Sequence, residues 1–261
     1  MSAPGDTPQF RLDGRVAVVT GASSGLGAYF ARVLAAAGAD VAIGARRADR
    51  LEEVRQSVLD RGRRCIALPI DVTDPRHCDA LVDATTRELG GIDILVNNAG
   101  TGYAVRAERD TPDDAANLIA VNLVGAYHMA VAAGRAMITA GNGGSIVNVS
   151  SALGLTVGDI PQASYSASKA GILGMTRDLA RQWSGKHRIR VNALAPGFFA
   201  SEMTAPLLGH EAGLNTVLAR IPSGRTGALG ELAGPLLLLA SEAGSYITGT
   251  TLCVDGGWSM H

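Results

Sequence analysis

Tyr165 and Lys169 are the residues whose types and spacing most directly suggest proton chemistry. The segment around them has a helical pattern, and on a helix two residues four positions apart share one face. A phenol has a pKa near ~10 in a free peptide, and a nearby ammonium group favours the phenolate and lowers that value. A tyrosine in this setting can act as a general acid or base. The alternative is an exposed amphipathic pair, because such short motifs also match by chance.

A hydroxyl group that could assist Tyr165 follows a strand predicted at residues 145–149. Ser150 and Ser151 come directly after this strand, and in an open α/β sheet the chemistry lies beyond the carboxyl ends of the strands. Strand alternation should point only one of the two serines towards the cleft, and Ser151 is the preferred candidate. Neither serine lies in a GxSxG turn, which disfavours a hydrolase nucleophile.

The length and composition fit one globular domain with a substantial core. The chain has 261 residues, of which 47% are apolar and 18% charged, with a net charge of -1. No basic run resembles a nucleic-acid footprint, and no run approaches the ~18 apolar residues of a membrane span. Residues 1–10 are predicted to form a flexible tail, without the apolar core of a signal peptide. We therefore expect neither a nucleic-acid partner nor a membrane association.

The cysteines and histidines show no metal-binding or disulfide pattern. Cys65, Cys78 and Cys253 are far apart and odd in number, so free thiols in a reducing, cytoplasmic compartment are expected. Cys253 lies in an apolar run, which predicts a small core residue. The five histidines form neither HxH nor HExxH, so no metal site is predicted.

A glycine-rich turn joins the first predicted strand, residues 15–20, to a helical pattern at residues 28–37 that is closed by Gly38. Its sequence is Thr20-Gly21-Ala22-Ser23-Ser24-Gly25-Leu26-Gly27. Glycines allow the backbone to approach a pyrophosphate, and the helix N-terminus offers free N–H groups and a favourable dipole. This context favours dinucleotide binding over a plain tight turn.

The end of the second predicted strand, residues 41–45, bears on the choice of cofactor. An acidic residue there would bind the ribose hydroxyls and repel a 2′-phosphate. The chain instead has Ala45 followed by Arg46 and Arg47, and a guanidinium group can bind a phosphate in a bidentate way. NADP(H) is therefore preferred over NAD(H), which stays possible. The alternative is that both arginines simply open a surface helix at residues 49–61.

Alternating strands and helices continue to the end of the chain and predict a doubly wound parallel sheet. Later strands are predicted at residues 65–69, 92–96, 145–149, 188–195 and 251–254, with long helices at 115–140, 164–185 and 229–241. We expect one α/β Rossmann domain over residues 11–261, with helices on both faces of a seven-stranded sheet. The segment at residues 197–227 is long and has only a partial helical pattern, which suggests a substrate lid.

Several polar residues stand at informative positions. Asp71 follows the third strand and could accept the adenine amino group, while Thr73-Asp74-Pro75 has the pattern of a helix N-cap. Asn97 and Asn98 follow the fourth strand, where a structural turn is favoured over chemistry. Asn122 lies within an apolar helical run, which indicates a buried polar site or a kink. A water-linked relay and a packing role remain alternatives for Asn122.

Taken in order, these motifs resemble the short-chain dehydrogenase/reductase family, and in particular its ketoreductase-like members. The resemblance extends from about residue 12 to residue 258. It is carried by the glycine turn, Asn97-Asn98-Ala99-Gly100, Asn122, Ser151, Tyr165-x-x-x-Lys169 and Pro196-Gly197. Each motif is weak alone, but the complete ordered set is specific.

The resemblance implies hydride transfer between a nicotinamide and a carbonyl or secondary alcohol. Tyr165 would exchange the proton, Lys169 would lower the pKa of Tyr165 and hold the nicotinamide ribose, Ser151 would polarise the carbonyl, and Asn122 would anchor a relay water. The implied cofactor-binding residues are Thr20, Gly21, Ser23, Ser24, Gly25, Leu26, Gly27, Arg46, Arg47, Asp71, Val72, Asn98, Ala99, Gly100, Tyr165, Lys169, Pro196 and Gly197. A homotetramer or a homodimer is also implied.

The substrate is predicted only broadly, as a small-molecule carbonyl or alcohol. Residues expected near it are Ala152, Leu153, Ile160, Phe198, Phe199 and Met203. The mostly apolar lid favours a hydrophobic or aromatic ketone, while Ser201, Glu202 and Thr204 keep a polar substrate possible. Asp159 could bind a polar substrate or simply form a turn before Pro161. A dinucleotide-binding regulator without turnover is the alternative function.

Overall fold

The structure is a computed structural model that describes residues 10–260. Residues 1–9 of the predicted tail, together with His261, lie outside the described residues. Within the described part, seven parallel strands form one sheet in the order β3-β2-β1-β4-β5-β6-β7. The strands are β1 Val16–Thr20, β2 Asp40–Ala45, β3 Cys65–Pro69, β4 Ile94–Asn97, β5 Gly144–Val149, β6 Ile189–Pro196 and β7 Thr251–Val254. The predicted fold is confirmed.

Helices cover both faces of the sheet. They are α1 Gly25–Ala36, α2 Ala48–Leu59, α3 Pro75–Leu89, α4 Pro112–Ile119, α5 Gly125–Ala140, α6 Ala163–His187, α7 Ala205–Leu208, α8 Glu211–Leu218 and α9 Ala233–Ala240. Alternate residues of each strand face opposite layers. Val19 packs with α1, α2 and α9, whereas Val18 packs with α3, α5 and α6. Continuous apolar runs form these strands because both faces of the sheet are buried.

The strand order places a binding crevice between β1 and β4. The chain leaves β1 for β2 on one side and returns to β4 on the other, so the loops after these two strands diverge. Ligands of doubly wound sheets bind at such a switch point, beyond the carboxyl ends of the strands. The glycine turn follows β1 and the Asn97-Asn98 turn follows β4, so both border this crevice.

A π-helical turn at Ala120–Val124 joins α4 and α5. It is the interruption predicted at Asn122, and such bulges often occur at functional sites. The whole helix, Pro112–Ala140, is by length and composition alone apolar enough to cross a membrane, and 39% of its most apolar window is buried. The sequence interpretation did not identify this run. In the fold, α5 packs against α3 and α4 packs against α6.

The position of Cys253 differs from the prediction. We expected a core residue, but its side chain is exposed. The reason is topological, because β7 pairs only with β6 and forms the edge of the sheet. An apolar run at the edge of a sheet cannot be distinguished from a central strand by local pattern alone.

Candidate active site

A cleft of about 530 Å³ opens at the carboxyl edge of the sheet. The ends of β1, β2, β4, β5 and β6 border it on one side, and the segment after β6, around residues 197–204, borders it on the other. The predicted site residues that line it are Gly21, Ser23, Ser24, Gly25, Leu26, Arg46, Arg47, Asp71, Val72, Asn98, Ala99, Gly100, Ser151, Tyr165, Lys169, Pro196, Gly197, Phe199 and Met203. The cleft therefore brings most of the predicted cofactor and catalytic residues together.

The glycine turn is held by close backbone packing. A Cβ atom on Gly27 would lie 2.3 Å from the carbonyl oxygen of Gly21, so only glycine fits there. The hydroxyl of Thr20 accepts hydrogen bonds from the backbone N–H groups of Asn98 and Ala99, each at 3.1 Å. Thr20 and Gly27 do not line the cleft themselves. Their contacts fix the shape of the turn that does.

The two adjacent asparagines have the structural role that the sequence favoured. Asn98 donates to the carbonyl oxygens of Thr20 and Gly21, at 3.1 and 3.3 Å, and so ties β4 to the glycine turn. Asn97 is buried and donates to the carbonyl oxygen of Ala126 and to the side chain of Asn148. These bonds connect the ends of β1, β4 and β5 with the first turn of α5.

The two arginines after β2 occupy different environments. Arg47 donates to the hydroxyls of Ser23 and Ser24, at 3.2 and 2.6 Å, and forms an ion pair with Glu202, in the segment after β6, at 3.0 Å. Arg46 also lines the cleft, beside Asp71. Glu202 was expected only as a possible contact of a polar substrate, and its ion pairs could not be predicted because their partners lie more than 150 positions away in the chain.

Asp71 lies at the cleft wall after β3. Its carboxylate accepts hydrogen bonds from the backbone N–H and the hydroxyl of Thr73, and these bonds hold the pKa of Asp71 below its ordinary value. The neighbouring Asp74 accepts from the backbone N–H of Arg76 and caps α3, with Pro75 in the first turn. The predicted helix N-cap is thus confirmed.

Tyr165, Ser151 and Lys169 meet at the other end of the cleft. Ser151 forms a side-chain hydrogen bond with Tyr165, which lowers the pKa of the phenol, but burial outweighs it and raises the pKa overall. The Nζ atom of Lys169 lies 5.8 Å from the centre of the Tyr165 ring and donates to the carbonyl oxygen of Val149 at 2.9 Å. Burial and Ser151 therefore set the direction of the Tyr165 pKa here, and the lowering by Lys169 stays a prediction.

Lys169 itself is almost fully buried, with 4% of its surface exposed. Desolvation lowers the pKa of its ammonium group to about 8, because a charge is less stable away from water. Ser150, the alternative to Ser151, donates to the carbonyl oxygen of Lys169 at 2.8 Å. Both serines line the cleft, although only one was expected there, but their hydrogen bonds differ: Ser151 bonds the phenol, and Ser150 bonds the backbone of α6.

Asn122 does not line the cleft but supports both of its walls. It is fully buried in the π-helical turn, where its oxygen accepts from the Thr101 N–H at 2.8 Å. Its amide group donates to the carbonyl oxygen of Thr101 and to the hydroxyl of Ser168, which in turn donates to the carbonyl oxygen of Tyr165. Asn122 thus links the loop after β4 to the turn of α6 that carries Tyr165.

Most of the apolar residues expected near the substrate do not line the cleft but pack into a cluster that also contacts Tyr165. Ala152 and Leu153 are buried in a cluster with Trp258, against which Ile160 and Phe198 also pack. Phe198 makes an edge contact with Trp258, with ring centres 4.8 Å apart. Only Phe199 and Met203 of the predicted set line the cleft. The sequence missed Gly102, where an added Cβ would lie 3.1 Å from the Tyr165 ring.

The titratable side chains that the structure describes give no indication of a metal site. Among residues 10–260, no group of three or more His, Cys, Asp or Glu side chains could hold a metal ion. The buried thiols of Cys65 and Cys78 have pKa values raised by burial to about 12, so they are poor nucleophiles.

Known proteins resemble this chain along almost its whole length. A family model described as enoyl-(acyl carrier protein) reductase matches residues 21–259. The chain is 42% identical to 2-dehydro-3-deoxy-D-gluconate 5-dehydrogenase of Escherichia coli (strain K12), covering 95% of this chain and 97% of the relative. It is 37% identical to a 3-oxoacyl-(acyl-carrier-protein) reductase of Vibrio cholerae, with 95% and 99% covered.

Solved structures show the same similarity. A gluconate 5-dehydrogenase from Burkholderia cenocepacia J2315, crystallised with NADP and tartrate, is 35% identical with a TM-score of 0.92, covering 98% of this chain and 99% of that one. A short-chain type dehydrogenase/reductase from Mycobacterium marinum is 36% identical with a TM-score of 0.92, and the cover is 97% and 98%. With the ordered motifs and the fold, these likenesses show that the chain belongs to the short-chain dehydrogenase/reductase family, whose members are NAD(P)-dependent oxidoreductases of hydroxyl and carbonyl groups.

Proposed function

We propose that this protein interconverts a secondary alcohol and a ketone with NADP(H) as the cofactor. The observation that carries the proposal is the cleft itself, because Ser151, Tyr165 and Lys169 line the same cavity as the glycine turn. A dinucleotide that lies along the turn would reach the phenol, since one continuous cavity connects the two ends. All four residues of the predicted catalytic set are present: hydrogen bonds link Ser151 directly, and Asn122 through Ser168, to Tyr165, and the Lys169 ammonium lies 5.8 Å from the Tyr165 ring.

The residues of the cleft fit a 2′-phosphorylated dinucleotide. Gly21 and Gly27 pack so closely against the backbone and Asn98 that no side chain fits at either position. Because glycines carry no side chain, a pyrophosphate can approach the backbone of this turn. Arg46 and Arg47 lie after β2, where a carboxylate would select NAD(H). When bound, NADP(H) supplies the nicotinamide carbon that accepts or donates the hydride. NADP is also the nucleotide in the Burkholderia relative.

The side chains at the far end of the cleft would orient the substrate and move its proton. We assign Tyr165 as the group that gives the proton to a ketone oxygen or takes it from an alcohol. Ser151 would hold the same oxygen, because its hydroxyl already bonds the phenol. Lys169 would supply a positive charge beside the phenol, and Asn122 would hold the loops that surround it. Asn122 is therefore a positioning residue in this proposal.

We propose a polar substrate of the hydroxy-acid or oxo-acid type. Of the apolar side chains that favoured a hydrophobic ketone, only Phe199 and Met203 line the cleft, whereas Phe198 packs against Trp258. Ser201, Glu202 and Thr204 line the cleft beside Met203. The relatives with 42% and 35% identity act on sugar acids by name, which supports the same class here.

A substrate panel and one substitution test this function. Hydroxy acids, oxo acids, simple ketones and alcohols would be assayed with NADPH, NADH and their oxidised forms. Tyr165→Phe should reduce turnover at least ~100-fold, the usual scale for a general acid or base, while NADPH still binds. Tyr246→Phe is the matched control, because Tyr246 is fully exposed. Near-normal turnover of Tyr165→Phe would reject the assignment, and no turnover of any substrate despite tight NADPH binding would favour the regulator.

The preference for NADP(H) has its own test. Arg46→Ala and Arg47→Ala should each weaken NADPH binding much more than NADH binding, because NADH lacks the 2′-phosphate. Arg55→Ala serves as the control, since Arg55 pairs with Glu52 on α2 and does not line the cleft. An equal loss for the two nucleotides, or a wild-type preference for NADH, would contradict the assignment.

We also propose a cytoplasmic homotetramer, with a homodimer as the alternative. The support is an exposed apolar surface on the π-helical turn and α5, where Val124 and Tyr127 are 41% and 51% exposed. Such residues commonly mark a surface that another chain covers. Light scattering coupled to size-exclusion chromatography measures the mass directly, and a monomer at micromolar concentration would reject the proposal.

A further inference from the structure

Glu202, at the start of the lid, places its carboxylate among the donors expected for a phosphate. Its Oε2 atom accepts from Nη1 of Arg47 at 3.0 Å and from the hydroxyl of Ser24 at 3.1 Å. Its other oxygen forms an ion pair with Arg50 of α2. These hydrogen bonds, those from Arg50 foremost, hold the pKa of Glu202 below its ordinary value. The carboxylate is therefore ionised at neutral pH.

The partners of Glu202 are the same groups that a bound nucleotide would need. Ser24 is the N-cap of α1, but its side chain makes no capping bond within the helix. Arg47 donates hydrogen bonds to the hydroxyls of both Ser23 and Ser24, and all three residues line the cleft. A carboxylate and a phosphate are both anions that accept from guanidinium and hydroxyl donors, so they compete for one set of donors.

We infer that Glu202 competes with the 2′-phosphate of the cofactor for the donor groups of Arg47 and Ser24. This competition sets how strongly the enzyme discriminates NADP(H) from NAD(H). This inference rests on the proposed cofactor. A phosphate monoester carries more charge than a carboxylate and has three acceptor oxygens, so it displaces Glu202 from Arg47. NAD(H) has no group to do so and leaves the Glu202–Arg47 pair closed.

The displacement also moves the lid. Glu202 lies between Ser201 and Met203, and both line the cleft. Release of Glu202 from Arg47 removes one of the two ion pairs that tie this end of the lid to α2, whereas the pair with Arg50, which does not line the cleft, is not contacted by the phosphate. Binding of the 2′-phosphate therefore loosens the lid segment next to the substrate end of the cleft, and the choice of nucleotide is coupled to substrate access.

The competing ion pairs are exposed, which limits the size of the effect. The side chains of Arg47 and Glu202 are 43% and 53% exposed. Each exposed pair is worth little, so removing the charge of Glu202 should improve phosphate affinity by roughly 3- to 10-fold rather than by several orders of magnitude. The effect should shrink at high salt, because salt screens exposed charges.

The test compares nucleotides that lack the nicotinamide and needs no turnover. Calorimetry would measure the Kd of adenosine 2′,5′-bisphosphate and of 5′-AMP for the wild type, Glu202→Gln and Glu52→Gln. The last variant is the matched control, because Glu52 has the same charge and pairs with Arg55 outside the cleft. We expect Glu202→Gln alone to bind the bisphosphate roughly 3- to 10-fold more tightly, with less than a ~2-fold change for 5′-AMP.

Hydrogen exchange of the lid backbone gives a second readout. In the wild type, the bisphosphate should speed exchange at residues 201–208, and Glu202→Gln should already exchange faster without nucleotide. If the wild type prefers the bisphosphate but Glu202→Gln has the wild-type Kd, the inference fails and the proposed cofactor stands. If neither protein prefers the bisphosphate over 5′-AMP, both the proposed cofactor and the inference are rejected. Wild-type lid exchange in Glu202→Gln would also overturn the inference.

Discussion

The buried ammonium group of Lys169 should make the stability of this enzyme depend on pH in a defined window. Its pKa is about 8 in the fold, against 10.5 for an exposed lysine. Between these values the unfolded chain binds more protons than the folded one, so the contribution of Lys169 to stability rises with pH. At 1.36 kcal/mol for each pKa unit, the full gain is about 3 kcal/mol. It is absent below pH 8 and complete near pH 10.5.

The measurement is a difference between two proteins. Urea unfolding of the wild type and Lys169→Met at intervals from pH 7 to 10.5 should give free energies of unfolding whose difference changes by about 3 kcal/mol in favour of the wild type. Burial raises the pKa of Cys65 and Cys78 to about 12, which lowers stability at high pH. Both thiols are present in both proteins, so their effect cancels in the difference.

The second lysine of the chain provides the control. The sequence contains only Lys169 and Lys186, and Lys186 is exposed near the end of α6. Lys186→Met removes an exposed lysine charge, so comparing it with Lys169→Met separates the effect of burial from that of losing a lysine. Selective ¹³C labelling of lysine would give the two pKa values directly by NMR. A flat Lys169→Met difference, or a measured pKa of Lys169 above 10, would refute the reasoning from burial.

Three further substitutions test which contacts hold the fold and the cleft. Asn122→Ala should destabilise the protein by about 2–4 kcal/mol in urea unfolding, because it leaves both backbone groups of Thr101 without their side-chain partner. Asp40→Asn should cost about 1–3 kcal/mol by the same measurement, since Asp40 is 6% exposed and pairs with both Arg63 and Arg64, whose guanidinium groups keep contact with water. Gly27→Ala should abolish dinucleotide binding in a fluorescence titration, because its Cβ atom would collide with the turn. Unchanged unfolding or binding would contradict each account.

The elements that could be predicted from the sequence are those fixed by local pattern. β-branched runs and glycines at strand ends are determined within a few residues, so β1, the glycine turn and α1 follow from the sequence alone. The interruption at Asn122 was predictable too, because an asparagine in an apolar helix must find partners. Which partners it finds depends on Thr101 and Ser168, and only the fold brings them together.

What could not be predicted depends on contacts between distant parts of the chain. The Glu202–Arg47 pair joins residues far apart in sequence, and an exposed glutamate in a loop has no distinctive pattern. The exposure of Cys253 depends on where β7 falls in the sheet. The direction of the Tyr165 pKa depends on how deeply the phenol is buried, which helical spacing to Lys169 does not reveal.

The two ends of the cleft are held by different kinds of interaction, and this difference matters for function. At the chemical end, Asn122 and Lys169 are buried and bonded to backbone groups, so any displacement leaves unpaired groups away from water. At the phosphate end, Arg47 and Glu202 are exposed, and their pair can be exchanged for another anion at little cost. A rigid chemical end preserves the geometry for proton transfer, whereas an exchangeable phosphate end lets the nucleotide replace a contact of the lid. Substitutions at the first end should therefore change stability and turnover together, and those at the second should change nucleotide preference with little loss of stability.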